Sequence, residues 1–167
     1  MQRILNRLDT AHEKIVATVL PLSTEVFCQR PSEKEWSVSE ILHHLNLVET
    51  SVIKELEKGL ADSPRRFSLR RRFVPIAIVG TRVIKVQSPK SVVPIDAPEK
   101  EKNLANYNDT RSRLKALCAT HGRERLQLTV FKHPFLGELS GVAAVSFLGY
   151  HEIRHLKQIN EVLNKLR

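Results

Sequence analysis

Eight prolines, at positions 21, 31, 64, 75, 89, 94, 98 and 134, partition this chain of 167 residues. Proline removes a backbone donor and clashes with the preceding turn, so helix interiors expel it. None occurs in 35–63, 99–133 or 135–167, and a fourth proline-free stretch precedes Pro21. These four gaps are candidate long helices.

Hydrophobic spacing fills them in. In the first, about 2–20, Ile4, Leu5, Leu8, Ala11, Ile15 and Val19 recur at steps of three and four, the mark of one buried face. The second opens at Ser37, where Ser37-Val38-Ser39-Glu40 has the form of a capping box, and runs to about Lys58 with Gly59 as its stop. The third covers about 99–120, with Leu104, Tyr107, Arg111, Leu114 and Cys118 on one stripe and Gly122 after it. The fourth starts near Leu139–Ser140 and runs to the end. Between the second and third lies 64–98, with five arginines in 65–72, a short helix expected at about 69–85, and three prolines from Pro89 to Pro98. It reads as an extended crossover, which lets the helices it joins run parallel. The best strand signal is LQLTVF at 126–131, so little or no sheet is expected.

The expected fold is therefore all-α, a four-helix bundle with a long crossover between helices two and three, and 1–167 as one domain. Hydrophobic residues at 41% and charged residues at 27% suit a globular chain and argue against disorder or a disulfide scaffold. Two cysteines, neither in a CxxC, suggest a reducing compartment. The first residues carry too many charges for a signal peptide, and no apolar run reaches spanning length. A cytoplasmic protein without a membrane segment is the expectation.

Seven histidines are present, and three fall on inward stripes. His151 and His155 are an i, i+4 pair, about 40° apart on the wheel, and share their face with Leu148, Ile159, Val162 and Leu166. In helix two, His44 lies on the stripe of Ile41, Val48 and Val52. His43, rotated by about 100°, sits with Ser39, Asn46 and Thr50 and is expected mostly in solvent. Glu40 and Glu49, about one turn either side of His44, are candidates to fix its tautomer. Three neutral imidazoles with an open position make a catalytic metal site. The plainer reading is three core histidines satisfied by hydrogen bonds.

Three segments resemble the DinB-like (DinB/YfiT-type) superfamily of metal-dependent enzymes. Trp36-Ser-Val-Ser-Glu40-Ile-Leu-His-His44-Leu45 is similar to that family's W-[ST]-x-x-E-[IV]-x-x-H-L pattern. His151-Glu-Ile-Arg-His155-Leu-Lys-Gln158-Ile159 is similar to its H-x3-H-x2-Q-I, and 133–140 to the loop before its last helix. The resemblance implies a four-helix bundle of unusual connection order. It also implies one divalent metal held by His44, His151 and His155. Zinc is the default, while nickel and iron(II) suit imidazole too. Family members include hydrolases and transferases that use a low-molecular-weight thiol as cosubstrate, so a small-molecule substrate is implied and DNA binding is not.

Glu40, Tyr107, Arg111 and Gln158 are the further candidates for catalytic work. Tyr107 and Arg111 share a stripe from which either could meet an anionic substrate, Arg111 otherwise forming a surface ion pair. Gln158 either caps the metal face by hydrogen bonding or simply packs. Trp36 is an entry anchor or a pocket wall, Glu152 a solvated ion pair and Cys118 a small core residue. The charge, 27 − 18 = +9, points to anionic partners in general. That supports the competing reading, a non-catalytic helical binding module whose basic 65–72 segment meets an anionic partner. No nucleic-acid motif accompanies the arginines, and a homodimer stays open.

Overall fold

The computed structural model describes residues 1–64, 76–80, 89–133 and 136–167. Four long helices form a bundle: α1 (Gln2–Val19), α3 (Val38–Ala61), α4 (Lys100–Gln127) and α5 (Gly141–Lys165). A short helix, α2 (Thr24–Cys28), precedes α3, and a hairpin of β1 (Val130–His133) and β2 (Gly137–Ser140) precedes α5. The arginine cluster at 65–72 and most of the helix expected at 69–85 lie outside the described residues. The described part of that expectation, Ile76–Gly80, is a 3-10 turn, and a second one spans Lys90–Val92.

Helix starts follow their sequence signals. Ser37 Oγ accepts from the Glu40 N–H at 3.2 Å while the Glu40 carboxylate accepts from the Ser37 N–H at 2.8 Å, completing the capping box. Ser140 caps α5 through Ala143, and Ser23 caps α2 through Val26. The stops are read less well. Gly59 does not end α3, which continues to Ala61. A Cβ on Gly59 would lie 2.6 Å from the Val130 carbonyl oxygen, so the glycine lets β1 approach the helix. Gly122 (φ +69°) breaks α4 where a stop is expected, but the chain resumes helix to Gln127. The strand signal at 126–131 therefore begins four residues early, since Leu126 and Gln127 are helical and pairing starts at Val130, opposite Ser140. Leu126 is fully buried, and its period belongs to the helix.

Cross-helix hydrogen bonds give the directions. On α3 and α4, Ser39 O receives from Asn103 (3.0 Å), Asn46 from Thr110 (2.6 Å) and Leu60 O from Arg125 (2.5 Å), so the two run parallel. Lys100 reaches Leu20 O at 2.8 Å while Lys115 reaches Asp9 at 2.9 Å, so α1 runs against α4. Leu56 clusters with Val142 and Ile41 with Ile159, so α5 runs against α3.

Among the described residues the core has two apolar clusters. One gathers Leu8, Val52, Leu56, Leu114, Phe131 and Val145; the other Ile15, Phe27, Ile41, Leu45, Tyr107 and Ile159. Between them lie buried polar residues on three of the long helices: His44 and Glu49 on α3, Arg111 on α4, and Glu152 and His155 on α5.

Candidate metal centre

His44, His151 and His155 meet in this layer. One ring nitrogen from each lies within 4.8 Å of the others. His151 Nε2 and His155 Nε2 lie 3.1 Å apart. Two nitrogens bound tetrahedrally to one ion at 2.0–2.1 Å would stand about 3.3 Å apart. His44 is 2% exposed and His155 6%, while His151 is half-buried with its ring between Phe147 and His155.

Tautomers follow from what the far nitrogens touch. His44 Nδ1 is 2.7 Å from the Val92 carbonyl oxygen, which only accepts. Nδ1 therefore carries the proton and Nε2 holds a lone pair. His155 Nδ1 lies 2.9 Å from Gln158 Oε1 and donates likewise, which puts the lone pair of that ring on Nε2. Burial holds His44 below the usual imidazole range, opposed by the Val92 bond. Burial, then the neighbouring His155 and His44, holds His151 well below it. Convergent imidazoles, His44 and His151 held neutral by burial and His44 and His155 with their outer nitrogens engaged, are a donor set that fits a divalent ion of zinc, nickel or iron(II) type.

Aromatic rings wall the centre. Trp36 lies 5.1 Å from the His44 ring centroid. Phe147 stacks on His151 at 5.3 Å, and His133 stands edge-on to Phe147 at 4.6 Å. Trp36, half-buried beside the capping box, thus borders the His44 ring.

Most of the other candidates are placed elsewhere. Glu40 caps α3 and pairs with Arg30, whose Nε donates at 2.8 Å. Glu49 takes two bonds from Arg111. Neither carboxylate sets the His44 tautomer; a carbonyl 48 residues along the chain does. Tyr107 is fully buried and donates to Glu152. Arg111 is 4% exposed, not a surface residue, and Glu152 at 2% is not solvated. Gln158 does reach the cluster, through His155. His43 is half-buried rather than mostly in solvent, because Ser39 and Asn46 on its side pack against α4. Cys118 is a core residue whose thiol burial pushes up to about 11. Spacing did not single out His12, which stacks on Tyr107 at 4.3 Å and sits 2.8 Å from Asn108 Oδ1.

Comparison with known proteins adds three findings. A sequence model described as the DinB superfamily matches residues 7–159. YuaE of Bacillus subtilis (strain 168), described as uncharacterized, is 30% identical over 149 residues, spanning 87% of this chain and 88% of that protein. Two solved structures share the fold. YfiT from Bacillus subtilis aligns with a TM-score of 0.67 at 16% identity, over 99% of this chain and 86% of that one. It is described as a probable metal-dependent hydrolase with an unusual four-helix bundle topology. TT2238, described as a four-helix bundle protein, aligns with a TM-score of 0.64 at 19% identity, over 96% of this chain and 98% of that one.

Proposed function

The chain belongs to the DinB superfamily, and on that premise we propose that it is a metal-dependent enzyme in which His44, His151 and His155 hold one divalent cation. Zinc is the first assignment, with nickel and iron(II) as alternatives. The observation that carries this reading is the convergence of three imidazoles within 4.8 Å, with the far nitrogens of two already spent on Val92 and Gln158. A hydrogen bond between His151 and His155 accounts for two of the converging nitrogens, and the third, from His44, completes a set that one ion can hold. Three ligands, rather than four, leave a position for a substrate.

When bound, such an ion supplies Lewis acidity to a carbonyl, or lowers the pKa of a water or thiol at the open position. The protein's own groups prepare that chemistry. Val92 O and Gln158 hold two rings in their ligating tautomer, and Trp36 and Phe147 keep the surroundings apolar. Glu40 and Glu152 are committed to the helix cap and to Arg111, so neither is assigned the proton transfers. The reaction class is hydrolysis, or S-transfer from a low-molecular-weight thiol, on a small substrate. The description of YfiT favours hydrolysis.

The test is elemental analysis of protein purified without a polyhistidine tag, joined to two assays. One offers ester and amide substrates, the other a thiol with an electrophile. About one equivalent of metal and a metal-dependent turnover in either assay is the expected result. Absence of metal after incubation with zinc, nickel and iron(II) in turn would overturn the reading.

A further inference from the structure

The polar layer contains a second cluster, and it is joined to the first by the helices rather than by contact. Its centre is Arg111 on α4. Nε and Nη2 donate to Glu49 of α3 at 2.8 and 3.1 Å, Nη2 also donates to Glu152 of α5 at 2.6 Å, and Nη1 donates to Leu8 O of α1 at 3.0 Å. Tyr107 adds a hydrogen bond to the same Glu152 oxygen. One guanidinium thus ties all four long helices at one level. The whole tie is dry: Arg111, Glu49, Glu152 and Tyr107 are each 4% exposed or less.

The helices it clamps from α4 are the two that carry the histidines. Glu49 follows His44 by five residues on α3, and Glu152 sits between His151 and His155 on α5. The separation of His44 from the other two rings depends on how α3 and α5 are rotated and spaced. Apolar packing alone tolerates small slides of one helix past another. A planar fork that must meet two carboxylates at fixed angles does not. We infer that Arg111 is a positioning residue for the three-histidine centre, holding α3 and α5 in the register at which the imidazoles converge. The inference rests on the metal reading above and assigns Arg111 no contact with substrate.

A lysine cannot reproduce the fork, because its single ammonium cannot reach Glu49, Glu152 and Leu8 O together. The experiment uses the full chain and cobalt(II) alone as the probe, read by competition affinity and by the visible absorption of the bound ion, which reports coordination geometry. Arg111→Lys is expected to weaken cobalt binding at least ten-fold, within the range that changes outside the ligand set produce, and to alter the spectrum. Leu114→Ala, a buried truncation one turn along α4, is the control: it loosens the core but leaves the tie whole, and should keep wild-type affinity and spectrum. Should Arg111→Lys fail to fold, Glu152→Gln decides, since it removes the charge at the α5 end while keeping the shape. Wild-type affinity and spectrum in the deciding variant overturn the inference, as does an equal loss in Leu114→Ala. A wild type that takes up no cobalt overturns the metal reading and this inference with it, whereas a wild type that binds while the deciding variant matches it overturns this inference alone.

Discussion

Replacing His44 by Ala should abolish most of the stability that zinc confers, while His43→Ala leaves it in place. The two residues are adjacent on one helix, so the comparison isolates direction from composition. An ion that binds only the folded chain stabilises it by about 2.7 kcal/mol when its free concentration is 100 times its Kd. For a chain of this size each kcal/mol moves Tm by about 2–4 °C. Wild type and His43→Ala should therefore each gain about 5–10 °C on adding zinc. In His44→Ala only His151 and His155 remain, and the gain should shrink to a few degrees at most. The metal-free protein should also suffer, because the Val92 carbonyl loses the donor 2.7 Å away and a ring 2% exposed leaves a hole. A buried acceptor without its donor costs about 1–3 kcal/mol. His43→Ala, half-buried and outside the cluster, should cost about 1 kcal/mol or less. Scanning calorimetry of metal-free and zinc-loaded protein separates the two effects. An undiminished zinc shift in His44→Ala, or its loss in His43→Ala, would refute the reasoning.

Zinc occupancy measured by equilibrium dialysis should persist below the ordinary imidazole pKa of about 6.5, because His44 and His151 are held below that value, and then fall with more than one proton taken up. His12 is pushed down to about 4, first by burial and then by Arg111. The unfolded chain therefore takes up that proton first. The His12 contribution to stability is whole above pH 6.5 and is lost as pH falls toward 4, by about 3 kcal/mol in all; His12→Gln should flatten the urea-stability profile across that window. Ser37→Ala should cost about 1 kcal/mol through the lost cap while leaving metal stoichiometry unchanged by elemental analysis. Gly59→Ala should cost about 1–3 kcal/mol in urea titration, because its Cβ would press on the Val130 carbonyl.

The bundle was legible because its signals are local. Proline-free spans, the Ser37 capping box and the three- and four-residue stripes each act within a turn or two, and the structure keeps them. The phase of α3 was legible for the same reason: Ile41, His44, Val48 and Val52 share one periodicity, and all four are buried. What failed depends on partners distant in sequence. Gly59 looks like a stop until β1 is seen against it. Arg111 and Glu152 look like surface charges until they are seen to pair with each other across 41 residues, with Glu49 joining Arg111 across 62. No spacing rule identifies Val92, whose backbone carbonyl orients His44.

The buried polar layer explains why such distant partners are needed. Removing Arg111, Glu49, Glu152, His44 and His155 from water costs several kcal/mol per ion and about 1–3 per neutral polar group left unpaired. An apolar layer of the same volume would be at least as stable. The layer therefore contributes specificity more than stability. An apolar stripe lets α5 settle against α3 in several registers one turn apart. With the layer present, a slide of one turn moves Glu152 out of reach of Arg111 and His155 away from His44 at the same time. Both losses fall on buried groups, so the penalties add and the alternative registers are excluded. The long crossover makes this discrimination useful, because α3 and α4 run parallel and no tight turn between them sets their relative height. The polar layer supplies the height reference that a short loop would otherwise provide, and the three imidazoles sit at the level it sets.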